Sequence, residues 1–183
     1  NGHVMVNGVK MSKSLGNFIT AHELLEKHPA NVIRLSILKT SYRLPFDFTE
    51  ALFKEAGTIN DKVMNSLKQA NLEIQVNDIK VGNITRDAKI DEIMEDDFNT
   101  SNLITYLLDL VKELNTKIRA KEDFTEIYDR VILANYILGL EYDFVSLTED
   151  DKKVYNAWLE NRKNKDFEKA DELRGILVER NII

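Results

Sequence analysis

The sequence contains no cysteine, which excludes disulfide bonds and thiolate metal sites within its 183 residues. It also has no apolar run approaching the roughly 20 residues that a membrane-spanning helix needs. The first residues lack the basic region and the long apolar region of a signal peptide. The histidines, His3, His22 and His28, show no metal-ligand spacing with carboxylates. These absences favour a soluble, cytoplasmic protein with no membrane partner and no metal site in this chain.

An initiator methionine is missing too, because the chain opens on "NGHVMVNG", which reads as the middle of a strand. The last residues, "RNII", read as the start of a strand that has no partner. We therefore expect this chain to be a piece of a longer protein.

Net charge is −6, which by itself would not suggest a nucleic-acid binder. The distribution of charge is more informative than the sum. Acidic residues gather in "DEIMEDDF" and "SLTEDD", whereas residues 10–43 contain only two acidic residues, Glu23 and Glu26. The basic residues of that segment are Lys10, Lys13, Lys27, Arg34, Lys39 and Arg43. Such a locally basic face is compatible with a polyanionic partner.

Hydrophobic spacing predicts a mostly α-helical chain after the opening loop. "TAHE" is a capping box for a helix that begins near Ala21, and Pro29 suits the first turn of a second helix. "TSYRLPFDF" has no helical period and is predicted to be a connector. A long helix is expected from Glu50 to Leu72, and Thr85 is expected to cap another that runs to Glu95.

The most regular apolar seam comprises Leu103, Leu107, Val111, Leu114 and Ile118. Asn99 or Thr100 is expected to cap this helix. "DFTE" predicts a further helix with a capping box at Asp123, which Gly139 should end. Residues 50–140 therefore read as an antiparallel helical bundle. Two more helices are predicted over 149–161 and 167–179.

The opening loop, "VNGVKMSKSLG" at residues 6–16, places two lysines three residues apart among serines and glycines. Lysine is a compact charge on a flexible stem and is suited to following a phosphate during reaction. Cations that meet charge developing at an α-phosphate accelerate the expulsion of pyrophosphate. The composition alone leaves two readings open, a nucleotide-binding loop and a solvated polar loop.

The string itself favours the first reading, because "KMSKS" resembles the signature of class I aminoacyl-tRNA synthetases at all five positions. The resemblance implies that Lys10, Met11, Ser12, Lys13 and Ser14 bind ATP. It also implies that Lys10 and Lys13 are catalytic and that Lys13 contacts the nucleotide phosphates.

Three further segments resemble cysteinyl-tRNA synthetases, namely "YRLPFDFTEALFKEA" (42–56), "EDDFNTSNLI" (95–104) and "NRKNKDFEKADELRGIL" (161–177). The order and spacing follow the family along nearly the whole chain. Ser101 stands where the family typically has proline, a mild change because serine also suits the first turn of a helix.

This resemblance implies three domains: the end of the catalytic domain with the KMSKS loop and stem-contact region (1–50), a DALR-type helical bundle (51–142), and a C-terminal helical anticodon-binding module (143–183). The parent enzyme would use ATP, cysteine and the tRNA for cysteine, with zinc bound by residues upstream of the loop and outside this chain. No HIGH-type motif or nucleotide fold is present, so this piece should be inactive alone. We expect a monomer, and we expect the KMSKS loop to be disordered or displaced.

Candidate tRNA-binding cations are Lys39, Arg43, Arg162, Lys163 and Lys165, although solvated charge is an alternative for the last three. Asp97, Asn99 and Thr100 are expected to cap a helix, and Phe98 is expected to lie in the core. Two other functions stay open: another class I ligase, such as a cysteine ligase with a small amine acceptor, and a non-enzymatic helical RNA-binding adaptor.

Overall fold

The computed structural model describes residues 2–82 and 85–183 of the chain. Three short strands carry the N-terminal region, and α-helices make up most of the rest, as the apolar spacing predicted. The strands are β1 (Val4–Val6), β2 (Val9–Lys10) and β3 (Phe46–Phe48). The helices are α1 (Ala21–Leu25), α2 (Ala30–Leu38), α3 (Glu50–Val76), α4 (Ala88–Glu95), α5 (Thr100–Ala120), α6 (Thr125–Leu138), α7 (Glu149–Lys163) and α8 (Phe167–Glu179).

The small sheet has the strand order β2-β1-β3. β1 and β2 form an antiparallel hairpin whose turn, Asn7 and Gly8, has positive φ at both positions, as a two-residue hairpin turn requires. β3 lies parallel to β1 on its other side, with Met5 opposite Asp47. The prediction of an irregular connector over "TSYRLPFDF" is therefore wrong for Phe46–Phe48. Its strand partner is about 40 residues away in sequence, beyond the reach of local patterns.

The helical bundle buries the predicted seam of α5 and an apolar stripe of α3. All five residues of the α5 seam are buried, and Val63, Leu67 and Ala70 of α3 are at most 1% exposed. α3 continues four residues past the predicted end, to Val76. The buried cluster also includes Leu24, Val32 and Leu35, so the helices that follow the KMSKS loop pack into the same core as the bundle.

Helix termini agree with the sequence in some places and differ in others. Thr20 forms the predicted capping box with Glu23, Asn99 caps α5, and Gly139 ends α6 in the left-handed conformation. Pro29 precedes α2 as its N-cap rather than lying in its first turn.

Two predicted caps are wrong. Asp87, not Thr85, caps α4, accepting hydrogen bonds from the backbone of Lys89 and Ile90 at 2.7 and 3.1 Å. Asp87 also accepts a hydrogen bond from Arg130 Nε of α6 at 2.5 Å, so a tertiary contact stabilises the N-terminus of α4. Asp123 accepts hydrogen bonds from the backbone and the hydroxyl of Thr125, the first residue of α6, but the N-cap position is Phe124.

The C-terminal helices α7 and α8 pack against each other and form a second, smaller cluster with the end of α3. Its buried members are Leu72, Tyr155, Leu177 and Ile182. Asp166 caps α8, and Thr148 forms a capping box with Asp151 at the start of α7. Among the described residues, none of the helices is long and apolar enough to cross a membrane.

Candidate functional site

The KMSKS loop leaves the sheet at the end of β2 and has a defined conformation. Lys13–Leu15 form a short 3-10 turn that ends at Gly16 with a φ of 66°. Ser12 precedes this turn, and its hydroxyl accepts a hydrogen bond from Leu15 N at 3.3 Å. The structure therefore differs from the expectation of a disordered loop, whereas displacement relative to the nucleotide fold stays a prediction. Short-range hydrogen bonds hold it, and these need no partner domain.

Two side chains that the sequence reasoning missed anchor this region. Asn17 bonds the backbone of both Lys10 and Ser12, at 3.1 and 2.9 Å. Asp47 on β3 accepts a hydrogen bond from Gly8 N at 2.8 Å and so holds the hairpin turn to the sheet. The string "KMSKSLGN" contains Asn17, but nothing in its composition indicates that its amide would turn back onto the loop.

The two lysines of the loop face solvent. Lys10 and Lys13 are exposed, as is Ser14, whereas Met11 and Ser12 are half-buried. Lys13 Nζ lies 5.8 Å from the centroid of the Phe18 ring, within the range of a cation–π contact. Because no acidic side chain neutralises it in this arrangement of described residues, the loop presents positive charge that an anionic ligand could meet.

A cleft of about 560 Å³ opens beside the loop, between the hairpin turn and α1. Phe18 and Phe53 lie in its wall, and His28 stacks on Phe53 with 4.1 Å between the ring centroids. Three glutamates, Glu23, Glu26 and Glu50, line it with one lysine, Lys27, so the cleft is a poor match for phosphate. Lys10 and Lys13 are not among its lining residues.

Arg43 and Lys39 already have partners within the chain. Arg43 forms a fork with Asp97, with Nε–Oδ2 at 2.5 Å and Nη2–Oδ1 at 2.8 Å. Tyr42 donates a further hydrogen bond to Asp97 at 2.6 Å. The hydrogen bonds from Arg43 and then Tyr42 lower the pKa of Asp97 to about 2. Lys39 forms an ion pair with Glu55. Any RNA contact by these two cations must therefore compete with carboxylates.

Asp97 thus does not cap a helix, and Phe98 does not lie in the core. Both residues are in the left-handed conformation, with φ of 54° and 53°, and the Phe98 side chain is 69% exposed. The turn between α4 and α5 docks on the segment after α2 through Asp97, and the start of α5 docks on the end of α2, where Thr100 Oγ1 donates to Leu38 O at 2.7 Å. These contacts turn Phe98 outward.

The turn between α7 and α8 carries the remaining cations. Arg162 and Lys163 lie in the last turn of α7, Lys165 follows that helix, and all three are exposed. The Arg162 guanidinium lies 4.7 Å from the Trp158 ring centroid. Lys165 has a φ of 61°, which turns the chain sharply into α8. Phe167, 66% exposed, follows directly. This turn combines positive charge with aromatic surface, the combination that single-stranded nucleic acid binds.

Carboxylates and histidines do not converge on a common point in the described part of the chain. Across residues 2–82 and 85–183, no group of three or more histidine, aspartate or glutamate side chains is placed to hold an ion.

Comparison with known families agrees with the geometry of the loop and bundle. Residues 1–58 match the catalytic-domain family of class I (C) tRNA synthetases. Residues 89–140, which span α4 to α6, match the DALR domain. The class defined by this loop and bundle is therefore that of the class I aminoacyl-tRNA synthetases.

Curated relatives narrow the class further. The chain is similar over its whole length to the cysteine–tRNA ligases of Oceanobacillus iheyensis (33% identical, 42% of that protein), Mycoplasma mycoides subsp. mycoides (35%, 43%) and Marinobacter nauticus (33%, 42%). The chain belongs to the cysteine–tRNA ligase family. It spans less than half the length of these relatives. Their names favour similarity to cysteine–tRNA ligases over similarity to an amine-acceptor ligase or an adaptor.

Proposed function

We propose that this chain supplies the KMSKS loop and the tRNA-binding helices of a cytoplasmic, monomeric enzyme that joins cysteine to its tRNA with ATP. The observation that carries the proposal is the exposed KMSKS turn in a chain similar along its full length to cysteine–tRNA ligases. In the proposed division, residues 1–50 end the catalytic domain, 51–142 form the bundle, and 143–183 read the anticodon.

In this proposal the loop acts on the phosphates of ATP. Lys10 ends β2 and Lys13 begins the 3-10 turn, so two exposed charges lie three residues apart, where they meet the charge that develops as pyrophosphate leaves the α-phosphate. Met11, Ser12 and Ser14 complete the ATP-binding segment. Zinc that selects the cysteine thiol would be bound by residues outside this chain.

The tRNA contacts that we propose differ in strength between two basic regions, one at the end of α7 and the turn that follows, the other just after α2. Arg162, Lys163 and Lys165 lie at the surface, where they can approach phosphates. Lys39 and Arg43 must first exchange Glu55 and Asp97 for the RNA. We therefore assign the larger share of phosphate binding to the turn between α7 and α8.

The role of the loop is tested by Lys13→Ala in the complete ligase that contains this segment, measured by cysteine-dependent ATP–pyrophosphate exchange. Removal of one transition-state contact should lower the rate by about 100-fold. Lys54→Ala, which removes an exposed lysine of α3, is the matched control and should leave the rate unchanged. A Lys13→Ala enzyme as active as this control would disprove the proposed role.

The tRNA role is tested by binding of the chain to a cysteine tRNA transcript and to an unrelated tRNA at two salt concentrations. We expect tighter, salt-sensitive binding to the cysteine tRNA, and a shallower salt dependence when Arg162, Lys163 and Lys165 are changed to alanine together. Lys112→Ala on α5 controls for general loss of charge. Equal binding of both tRNAs would place recognition outside these helices.

A further inference from the structure

We propose that Asn17 is a positioning residue that fixes the backbone from which Lys10 and Lys13 project. This inference rests on the proposed function, since it assigns Asn17 to the same loop, and it concerns a residue outside the five-residue signature. Asn17 acts through the loop backbone and touches no substrate.

The contacts of Asn17 span the beginning of the loop. Its Nδ2 donates to the carbonyl of Lys10 at 3.1 Å. Its Oδ1 accepts from the backbone N–H of Ser12 at 2.9 Å. One side-chain amide therefore bonds the backbone on both sides of Met11, and it ties the loop's first residues to the residue that follows Gly16.

The two bonds lie next to both catalytic lysines along the chain. The Lys10 carbonyl belongs to the first lysine, and the Ser12 N–H immediately precedes the 3-10 turn that starts at Lys13. Asn17 is half-buried, whereas both lysines are exposed. The backbone is thus held while the lysine stems stay free, which reduces the ordering cost of bringing both charges to one phosphate group.

Asparagine is specifically suited to this position, because the two bonds need one donor and one acceptor in a short planar group. Aspartate would keep the bond from Ser12 N–H, but it would set a carboxylate oxygen against the Lys10 carbonyl. Alanine would remove both bonds. The two variants therefore test the donor separately from the whole amide.

The experiment compares Asn17→Asp and Asn17→Ala with Lys13→Ala in the complete ligase, by the ATP dependence of pyrophosphate exchange. Asn156→Asp and Asn156→Ala, at an exposed position of α7, are the matched controls. We expect Asn17→Asp to lower kcat by about tenfold, the factor that corresponds to the loss of roughly one net hydrogen bond. Asn17→Ala, which loses both bonds, should lower kcat further, and both variants should change KM for ATP much less.

A second readout uses the 183-residue chain. Backbone amide order parameters of Lys10, Ser12 and Lys13 should fall from values near the rigid range of about 0.85 toward the flexible range below about 0.6 in both Asn17 variants. The melting temperature should match that of the Asn156 variants, because these bonds lie at the surface and not in the core.

The outcomes separate the two proposals. If Lys13→Ala loses exchange while the Asn17 variants match their controls in kcat, positioning by Asn17 is overturned and the proposed function stands. Positioning by Asn17 is likewise overturned if the order parameters fall without any change in kcat. If Lys13→Ala keeps full exchange activity, the proposed function fails, and the role of Asn17 fails with it.

Discussion

The bundle and the C-terminal helix pair are stabilised by different means. The bundle has a continuous apolar cluster that reaches from Leu24 to Leu140. In the part of the chain that the structure describes, the cluster of the C-terminal pair buries four residues, Leu72, Tyr155, Leu177 and Ile182. Buried apolar area contributes about 25 cal/mol per Å², so the bundle is the more stable unit and the helix pair depends on it.

Polar contacts compensate for part of this difference. Gln75 of α3 donates to Val145 O at 3.0 Å and accepts from Leu147 N at 2.7 Å, which holds the linker that leads to α7. Lys152 pairs with Asp78 at 2.8 Å, and Arg180 bonds Asp151 at 2.6 Å. The comparison therefore predicts two levels of stability in one chain.

The largest effect is expected in the bundle. Leu107→Ala, at a position with 0% exposure, should lower the free energy of unfolding by about 3 kcal/mol, because it leaves a cavity in the seam of α5. Denaturant unfolding followed by circular dichroism measures this change. Leu159→Ala, at a side chain that is 41% exposed, is the control. A loss no larger than that of the control would show that the seam is not the main core.

A smaller and local effect is expected from Leu177→Ala in the C-terminal pair. Leu177 is also fully buried, and we expect the free energy of local opening to fall by about 2 kcal/mol. Hydrogen exchange should show faster exchange in α7 and α8 and unchanged exchange in α5. Equal acceleration in both regions would mean that they unfold as a single cooperative unit.

Gln75→Ala should weaken the attachment of the C-terminal pair with less effect than Leu177→Ala. Two hydrogen bonds are lost, at about 0.5 kcal/mol each, the low end of the usual range, because one is exposed and the other only partly buried. Exchange of the amides in the linker and α7 should accelerate, while Gln69→Ala, elsewhere on the same helix, should change nothing. Unchanged exchange in both variants would assign the attachment to apolar packing alone.

The smallest effect concerns pH. Hydrogen bonds from the Thr148 side chain and backbone, and then from Arg180, lower the pKa of Asp151 to about 2. This folded pKa lies below the unfolded value of about 3.9. The ionised Asp151 carboxylate therefore contributes its full stabilisation of the folded state above about pH 4, and this stabilisation is lost as pH falls toward about 2.

Acid should therefore accelerate hydrogen exchange in α7 and α8 of the wild-type chain over this pH window. In Asp151→Asn the exchange of these amides should be fast already at neutral pH, and its rate should change less with acid. Asp171→Asn, at an exposed position of α8, serves as the comparison. If acid accelerates exchange in Asp151→Asn as much as in the wild type, the pH dependence arises from other carboxylates, such as Asp150 beside Arg180.

Much of the bundle could be predicted from the sequence because its signals are local. The α5 seam and the α3 stripe recur at helical spacing, and the caps at Thr20, Asn99 and Gly139 act within one turn of their helix. The signature loop is likewise a contiguous string. The backbone contacts of Asn17 could not be predicted, because a half-buried amide has no distinctive sequence pattern, although its place directly after Gly16 was visible.

The sequence alone predicts most helices, their buried faces and the segment that carries the KMSKS lysines. Periodicity and contiguous motifs are properties of neighbouring residues in the chain. Three other features came only from the folded arrangement: Phe46–Phe48 form a strand, Arg43 binds Asp97, and Phe98 faces solvent. Each of these depends on residues about 40 or more positions apart. Strand pairing, ion pairing and exposure depend on which distant surfaces meet, and no local pattern contains that information.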